Sequence, residues 1–163
     1  MIENISFRSI DTSDQDFMWE MMMYASHENT LESVKINPDL ARYVINWGRE
    51  GDEGIIILKA NNPVGAVWIR LWTEFNKGYG YINNEVPEIV IAVVPNERGK
   101  SLGTLMLTKF LNQLNSTYDT VSMSVRSDNP AVKLYKRNRF IKVEGSEIVN
   151  RIGGTSFIMK KLM

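Results

Sequence analysis

The sequence predicts an α+β domain built on one mixed, mostly antiparallel twisted sheet of about six to seven strands with about four helices. Three observations carry this. The segments run strand, two helices, three strands, helix, strand, helix, two strands, which is not the regular alternation of a doubly wound fold. The stretch Glu88–Val94 is almost continuously apolar, as a strand covered on both faces should be. No repeat, charge block or Pro/Gly/Ser-rich linker interrupts the chain, so a single domain is expected over residues 1–163.

Ile5 to Ile10 alternates as a strand does. Asp11-Thr12-Ser13-Asp14 supplies capping side chains for a helix carrying Phe17, Met18, Met21, Met22 and Ala25 at helical spacing. Pro38 opens a second helix with Leu40, Tyr43, Val44 and Trp47 on one face, and Gly48 stops it. Gly54–Ala60 and Val64–Trp72 are strands joined by the turn residues Asn61-Asn62-Pro63. Thr73 to Pro87 has no period, is rich in Gly, Asn and Tyr, and is predicted to be a long loop, a type that is usually functional or mobile. After the Glu88–Val94 strand and the break at Pro95–Lys100, a helix is predicted over Ser101–Leu114, with Leu102, Leu105, Met106, Phe110, Leu111 and Leu114 on its apolar arc. Thr120–Val125 is a strand. Asn129 and Pro130 then stand as cap and first-turn proline of a helix that places Ala131, Leu134 and Tyr135 on one face. Phe140–Val143 and Thr155–Leu162 are the closing strands.

Composition narrows the chemistry. The 163 residues are 44% apolar, and 19 basic side chains balance 19 acidic ones, so no bulk field draws the protein to nucleic acid or anionic lipid. With no cysteine, a disulfide framework, a thiolate nucleophile and a sulfur-ligated metal are excluded. The single histidine, His27, makes a histidine-rich metal site equally implausible, and it reads as a solvated residue at a helix end. No apolar stretch approaches the roughly 20 residues that span a bilayer, and no basic segment with a following apolar run marks a secretory signal. A cytoplasmic protein without a nucleic-acid or membrane partner is expected.

One segment carries a chemical signal. Across Val93-Val94-Pro95-Asn96-Glu97-Arg98-Gly99-Lys100-Ser101-Leu102-Gly103-Thr104, a buried strand ends, a short basic turn follows, and a long helix starts. The first N–H groups of a helix lack carbonyl partners, and the helix dipole adds partial positive charge there. Gly99 and Gly103 permit close approach, while Arg98 and Lys100 add formal charge, so the turn suits a diphosphate. An ordinary strand–helix turn with solvated charges would have the same residues. A nucleotide-binding P-loop also ends in Gly-Lys-Ser, but its first glycine would fall on Val94, with Pro95 directly after it.

Arg98-Gly99-Lys100-Ser101-Leu102-Gly103 resembles the Arg/Gln-x-x-Gly-x-Gly/Ala signature of the GNAT (Gcn5-related) N-acetyltransferases. Asp128-Asn129-Pro130-Ala131-Val132-Lys133-Leu134-Tyr135-Lys136-Arg137-Asn138-Arg139-Phe140 resembles their later Asn-x-x-Ala-x-x-Leu-Tyr-x-x-x-Gly-Phe block. The resemblance implies the GNAT fold, with a V-shaped split between strands 4 and 5, and transfer of an acetyl group from acetyl-CoA to a primary amine of a small molecule, amino acid or peptide. It implies backbone amides of Ala92, Val93 and Val94 against the pantetheine arm and Arg98, Gly99, Lys100, Ser101, Leu102, Gly103 and Thr104 around the diphosphate. Tyr135 becomes the candidate general acid that also touches the cofactor, with a packed core tyrosine as the plain alternative. Asn129 becomes a helix cap touching the cofactor, although the family asparagine falls on Asp128 here.

Glu88 resembles the catalytic glutamate of the histone-modifying branch; it could equally be a carboxylate at the start of a strand that faces solvent or pairs with Arg70. Trp68 and Trp72 read as core or, being four apart beside Tyr79 and Tyr81, as lining for the acceptor site, which the N-terminal helices and the Thr73–Pro87 loop should form. The remaining tryptophans and Met21–Met23 read as core. Two positions depart from the family. Ser101 stands for its middle glycine. Arg139 stands for the glycine before Phe140, with Asn138 the better non-glycine candidate for a left-handed conformation. With no cysteine the transfer must be direct, in a ternary complex. Homodimers are common in the family. A non-catalytic acyl-CoA-binding domain is the alternative.

Overall fold

The computed structural model describes residues 4–163. Its strands are β1 (Ile5–Ser9), β2 (Glu53–Lys59), β3 (Asn62–Arg70), β4 (Glu88–Val93), β5 (Thr120–Arg126), β6 (Ile141–Lys142), β7 (Ile148–Val149) and β8 (Thr155–Leu162). Its helices are α1 (Gln15–Ala25), α2 (Leu31–Lys35), α3 (Pro38–Ala41), α4 (Leu102–Leu114) and α5 (Val132–Arg137). The sheet is mixed. Strands β1/β2, β2/β3, β5/β8, β6/β8 and β7/β8 pair antiparallel, whereas β4 and β5 pair parallel at Glu88↔Ser122. The two-residue β7 and the single-turn α2 are the elements absent from the sequence reading, both too short to show a period.

The chain gathers into two compact units. The first takes the chain up to Arg70 together with Val90–Leu111. In it β1, β2, β3 and β4 lie in that order. Ile55, Ile56 and Ile57 of β2 and the run from Val64 to Arg70 are all buried, so both faces of these strands are covered. At Gly65, β3 packs tightly on its neighbours: an added Cβ would stand 3.0 Å from the Ala92 carbonyl oxygen and 3.0 Å from Ile57. The β2–β3 hairpin turns at Ala60 and Asn61, with φ of 50° and 66°, the left-handed pair that suits a tight two-residue connection. Asp11 caps a turn of 3-10 helix ahead of α1 instead of α1 itself, and Arg8 grips Asp14 with two hydrogen bonds of 2.7 and 2.8 Å.

The helix expected to run from Pro38 to Gly48 stops at Ala41. Tyr43, Val44 and Trp47 are buried as predicted, but the carbonyls of Arg42, Ile45 and Asn46 turn to the Arg70 guanidinium at 2.7, 2.6 and 3.0 Å. That buried cation draws the chain into turns. Trp68 is part of this core, fully buried with its indole N–H donating to the Tyr43 carbonyl at 3.1 Å.

The second unit comprises Leu71–Ile89 and Asn112–Met163. Here the order is β4, β5, β8, β6, with β7 on β8. The β5/β8 pairing runs unbroken from Thr120↔Leu162 to Arg126↔Ser156. Residues 73–87 form the predicted loop, without strand or helix apart from one bridge at Thr73↔Asn76. Among the described residues, no helix is long and apolar enough to cross a membrane.

Candidate active site

In the first unit, β4 ends at Val93 and a single 3-10 turn, Pro95–Glu97, leads to the start of α4. The first helical bond runs from the Leu105 amide to the Ser101 carbonyl, so Ser101 caps the helix. Among the described residues, the amides of Gly99, Lys100, Ser101, Leu102, Gly103 and Thr104 donate no hydrogen bond. This is a run of consecutive unspent donors at the positive end of a three-turn helix, the arrangement that binds phosphate oxygens. Gly99 has φ of +76° and open space around its missing Cβ. Ser101 also has positive φ, 65°. The family glycine is thus replaced where the backbone most favours glycine, and the chain still adopts the glycine conformation.

The charges of the cradle are tied down. Lys100 Nζ lies 3.3 Å from Glu97, whose carboxylate also takes Lys59 at 3.0 Å, and the two lysines hold the Glu97 carboxyl below its ordinary pKa. Arg98 donates from Nε to the Val93 carbonyl at 3.1 Å and lies over the Tyr24 ring at 5.5 Å. The turn thus keeps its amides open while its side-chain charges are engaged. Tyr24, at the end of α1, was invisible as part of it, because nothing in a helix sequence marks which distant arginine it will stack on.

The Val94 amide donates to the Val64 carbonyl at 2.9 Å, within the β3/β4 edge. Successive N–H groups of a strand point to opposite edges, so the Val93 amide faces away from β3. Of the three residues expected against a pantetheine arm, Val93 has the free edge, and Ala92 is buried in contact with β3.

In the second unit, Tyr135 of α5 is 7% exposed, and burial pushes its phenol up to about 12. Its neighbour is fixed by the way α5 ends. Arg139 has φ of 69°, its amide donates to the Lys136 carbonyl, and the Phe140 amide reaches back to the Tyr135 carbonyl. This is the left-handed helix stop usually made by glycine. It sets the Phe140 ring edge-on to Tyr135, centroids 6.1 Å apart. The left-handed residue is Arg139, not Asn138: Asn138 has φ of −90° and uses its side-chain amide on the Leu134 carbonyl. Asn129 is not the cap of α5, which starts only at Val132; its carboxamide oxygen accepts from the Ala131 amide at 2.9 Å and holds the preceding turn. Asp128 is exposed beside Arg126.

Glu88 neither faces solvent nor pairs with Arg70, whose partner is Asp52. It is 3% exposed and accepts the Trp72 indole N–H at 2.8 Å. Gly78 and Gly80 pack directly on its carboxyl group, where an added Cβ would come within 2.3 and 2.8 Å. Trp68 and Trp72 are therefore core residues with committed indoles, not the lining of an acceptor pocket. The glycines around Glu88 were the legible hint: Gly78-Tyr79-Gly80 stands out in the aperiodic loop.

The model of the Acetyltransferase (GNAT) family matches residues 17–140. The chain belongs to the GNAT acetyltransferase family. No curated protein sequence matches it. Among solved structures, yncA from Salmonella typhimurium, solved with its cofactor acetyl-CoA, is 18% identical with a TM-score of 0.71, covering 97% of this chain and 93% of that one. The ribosomal-protein-S18-alanine N-acetyltransferase from Escherichia coli is 16% identical, TM-score 0.70, over 97% and 93% of the two chains. Mutant forms of the spermidine/spermine N-acetyltransferase SpeG from Vibrio cholerae are 18% identical, TM-score 0.65, over 98% and 95%. At such identities these structures share the GNAT fold with this chain, and their acceptors are their own.

Proposed function

We propose that this GNAT protein transfers an acetyl group from acetyl-CoA to a primary amine of a small molecule, amino acid or peptide, by direct attack in a ternary complex. The observation that carries the reading is the run of unpartnered amides from Gly99 to Thr104 at the start of α4. These donors fit a diphosphate, and the positive φ values of Gly99 and Ser101 turn the backbone through the left-handed region that favours glycine.

When bound, acetyl-CoA supplies an activated acyl carbon and a thiolate leaving group. The remaining work falls to the chain. The amides of Gly99 to Thr104 hold the diphosphate, and the Val93 amide pairs with the pantetheine arm or steadies negative charge developing on the acyl oxygen. Tyr135 gives its proton to the departing sulfur. A phenol raised to about 12 stays protonated at neutral pH, the state a general acid needs. The amine attacks through its neutral form, and its surplus proton leaves to water, because the Glu88 carboxyl group takes the Trp72 indole on Oε1 and is covered by Gly78 and Gly80. Asn129 acts by holding the turn that leads into α5.

Thiol release from acetyl-CoA across a panel of amines, including spermidine and a peptide with N-terminal alanine, tests the reading. Turnover on at least one amine, with kcat lowered about 100-fold in Tyr135→Phe, supports it. CoA binding without thiol release on any amine would mark the chain as a binding domain instead.

A further inference from the structure

Trp72 and Glu88 bracket the loop of residues 73–87, and their side chains meet across its base. Trp72 is 2% exposed, Glu88 is 3% exposed, and the indole N–H donates to Oε1 at 2.8 Å. The loop then doubles back over this pair. A Cβ on Gly78 would stand 2.3 Å from both Glu88 Oε1 and Trp72 Nε1, and one on Gly80 would stand 2.9 Å from Oε2, so only glycine backbone passes there. Ser122 of β5 closes the arrangement: its buried hydroxyl donates to the Gly80 carbonyl at 2.7 Å and its amide to the Pro87 carbonyl at 3.0 Å. The loop is pinned at both ends and at its middle. Two lobes stay exposed, residues 73–77, with Phe75 at 92% exposure, and residues 83–85.

We infer that Glu88 is a positioning residue whose buried bond to Trp72 latches the 73–87 loop and holds its 73–77 lobe in the form that receives the amine acceptor. The inference rests on the acetyl-transfer reading for the word acceptor, but the latch itself stands on the geometry. A direct base needs a free carboxylate oxygen within reach of the incoming amine; here one oxygen takes the indole and the carboxyl group is covered by Gly78 and Gly80. A latch needs what is observed: a buried acceptor, a buried donor at the far end of the loop, and backbone packed on both. Closing a loop by a bond between its flanking residues restricts the open states available to it.

Hydrogen exchange over residues 73–87 of the full chain, read beside steady-state kinetics, tests this. Trp72→Phe removes the donor and keeps a ring, Glu88→Ala removes the acceptor, and Glu88→Gln keeps a carbonyl oxygen for the indole. The latch predicts that exchange within 73–87 rises about tenfold in Trp72→Phe and Glu88→Ala, less in Glu88→Gln, while β8 keeps its native protection. It predicts that KM for the amine rises about tenfold in Trp72→Phe, with kcat and KM for acetyl-CoA near native. Native loop exchange in both Trp72→Phe and Glu88→Ala would overturn the proposal. So would a loss of kcat of about 100-fold in Glu88→Gln with a natively protected loop, which would make Glu88 the base. If the native protein acetylated no amine, the transfer reading would fall, and the exchange measurements would still decide the latch.

Discussion

Asp52 and Arg70 form a fully buried ion pair, each side chain 1% exposed, with Arg70 Nη2 3.1 Å and Nε 3.3 Å from the carboxylate. Asp52 also accepts the Gly48 and Arg49 amides at 2.9 and 3.1 Å. Three carbonyls and one carboxylate thus surround a single guanidinium, and burial pulls its pKa below the ordinary value. Removing one member of a buried pair leaves a charge that nothing offsets. Asp52→Ala should therefore lower unfolding stability by about 3 kcal/mol or more in a urea titration. A loss under about 1 kcal/mol would show the three carbonyls to be sufficient for Arg70.

Ser101 and Arg139 both hold left-handed backbone, at φ of 65° and 69°, and they separate stability from binding. Glycine relieves the Cβ clash of that region, so Ser101→Gly and Arg139→Gly should each stabilise by about 1 kcal/mol, read as a rise in Tm. Ser101→Gly alone should also tighten CoA binding in calorimetry, because Ser101 belongs to the amide run and Arg139 does not. Equal CoA affinity in the two variants would remove the serine from the cradle.

The salt-bridged state of Lys100 predicts an asymmetry between charge and backbone. Lys100→Ala should weaken CoA binding by less than about fivefold, since its ammonium is already shared with Glu97. Gly103→Trp, which sets a large ring beside the amides, should weaken it by about 100-fold or more. Native far-UV circular dichroism would certify the fold of both variants. A larger loss from Lys100→Ala than from Gly103→Trp would show that point charge, not the main chain, grips the anion.

Tyr135 makes a pH prediction whose direction follows from burial. Burial raises its folded pKa to about 12 from the ordinary phenol value of about 10, so between these values the folded state keeps a proton that the unfolded chain has lost. Stability then falls as pH rises through that window and is indifferent to Tyr135 below it. That difference corresponds to about 2 to 3 kcal/mol. Alkaline unfolding should be less steep in Tyr135→Phe, and kcat of the native enzyme should show no limb from this phenol below about pH 10. Identical alkaline unfolding of the two proteins would mean the phenol is not desolvated.

Residue order alone determined the mixed α+β architecture, the long loop and the family, because these rest on local features: period-two and helical spacing, turn residues between β2 and β3, and a glycine-bearing basic turn where β4 leads into α4. The strand Thr155–Leu162 matches β8 residue for residue. Tertiary structure decided the rest. Whether Glu88 meets Arg70, solvent or Trp72 depends on how a loop with no periodicity folds back, and only the packing of Gly78 and Gly80 settles it. The truncation of α3 likewise comes from Arg70, which lies 28 residues beyond Arg42 and takes its carbonyl. The left-handed turn fell to Arg139 instead of Asn138 because the amides of Arg139 and Phe140 both bond back into α5, and that closure outweighs the intrinsic preference of asparagine. Local patterns specify which segments form; which buried polar group finds which partner is settled by desolvation, and desolvation exists only once the segments have packed.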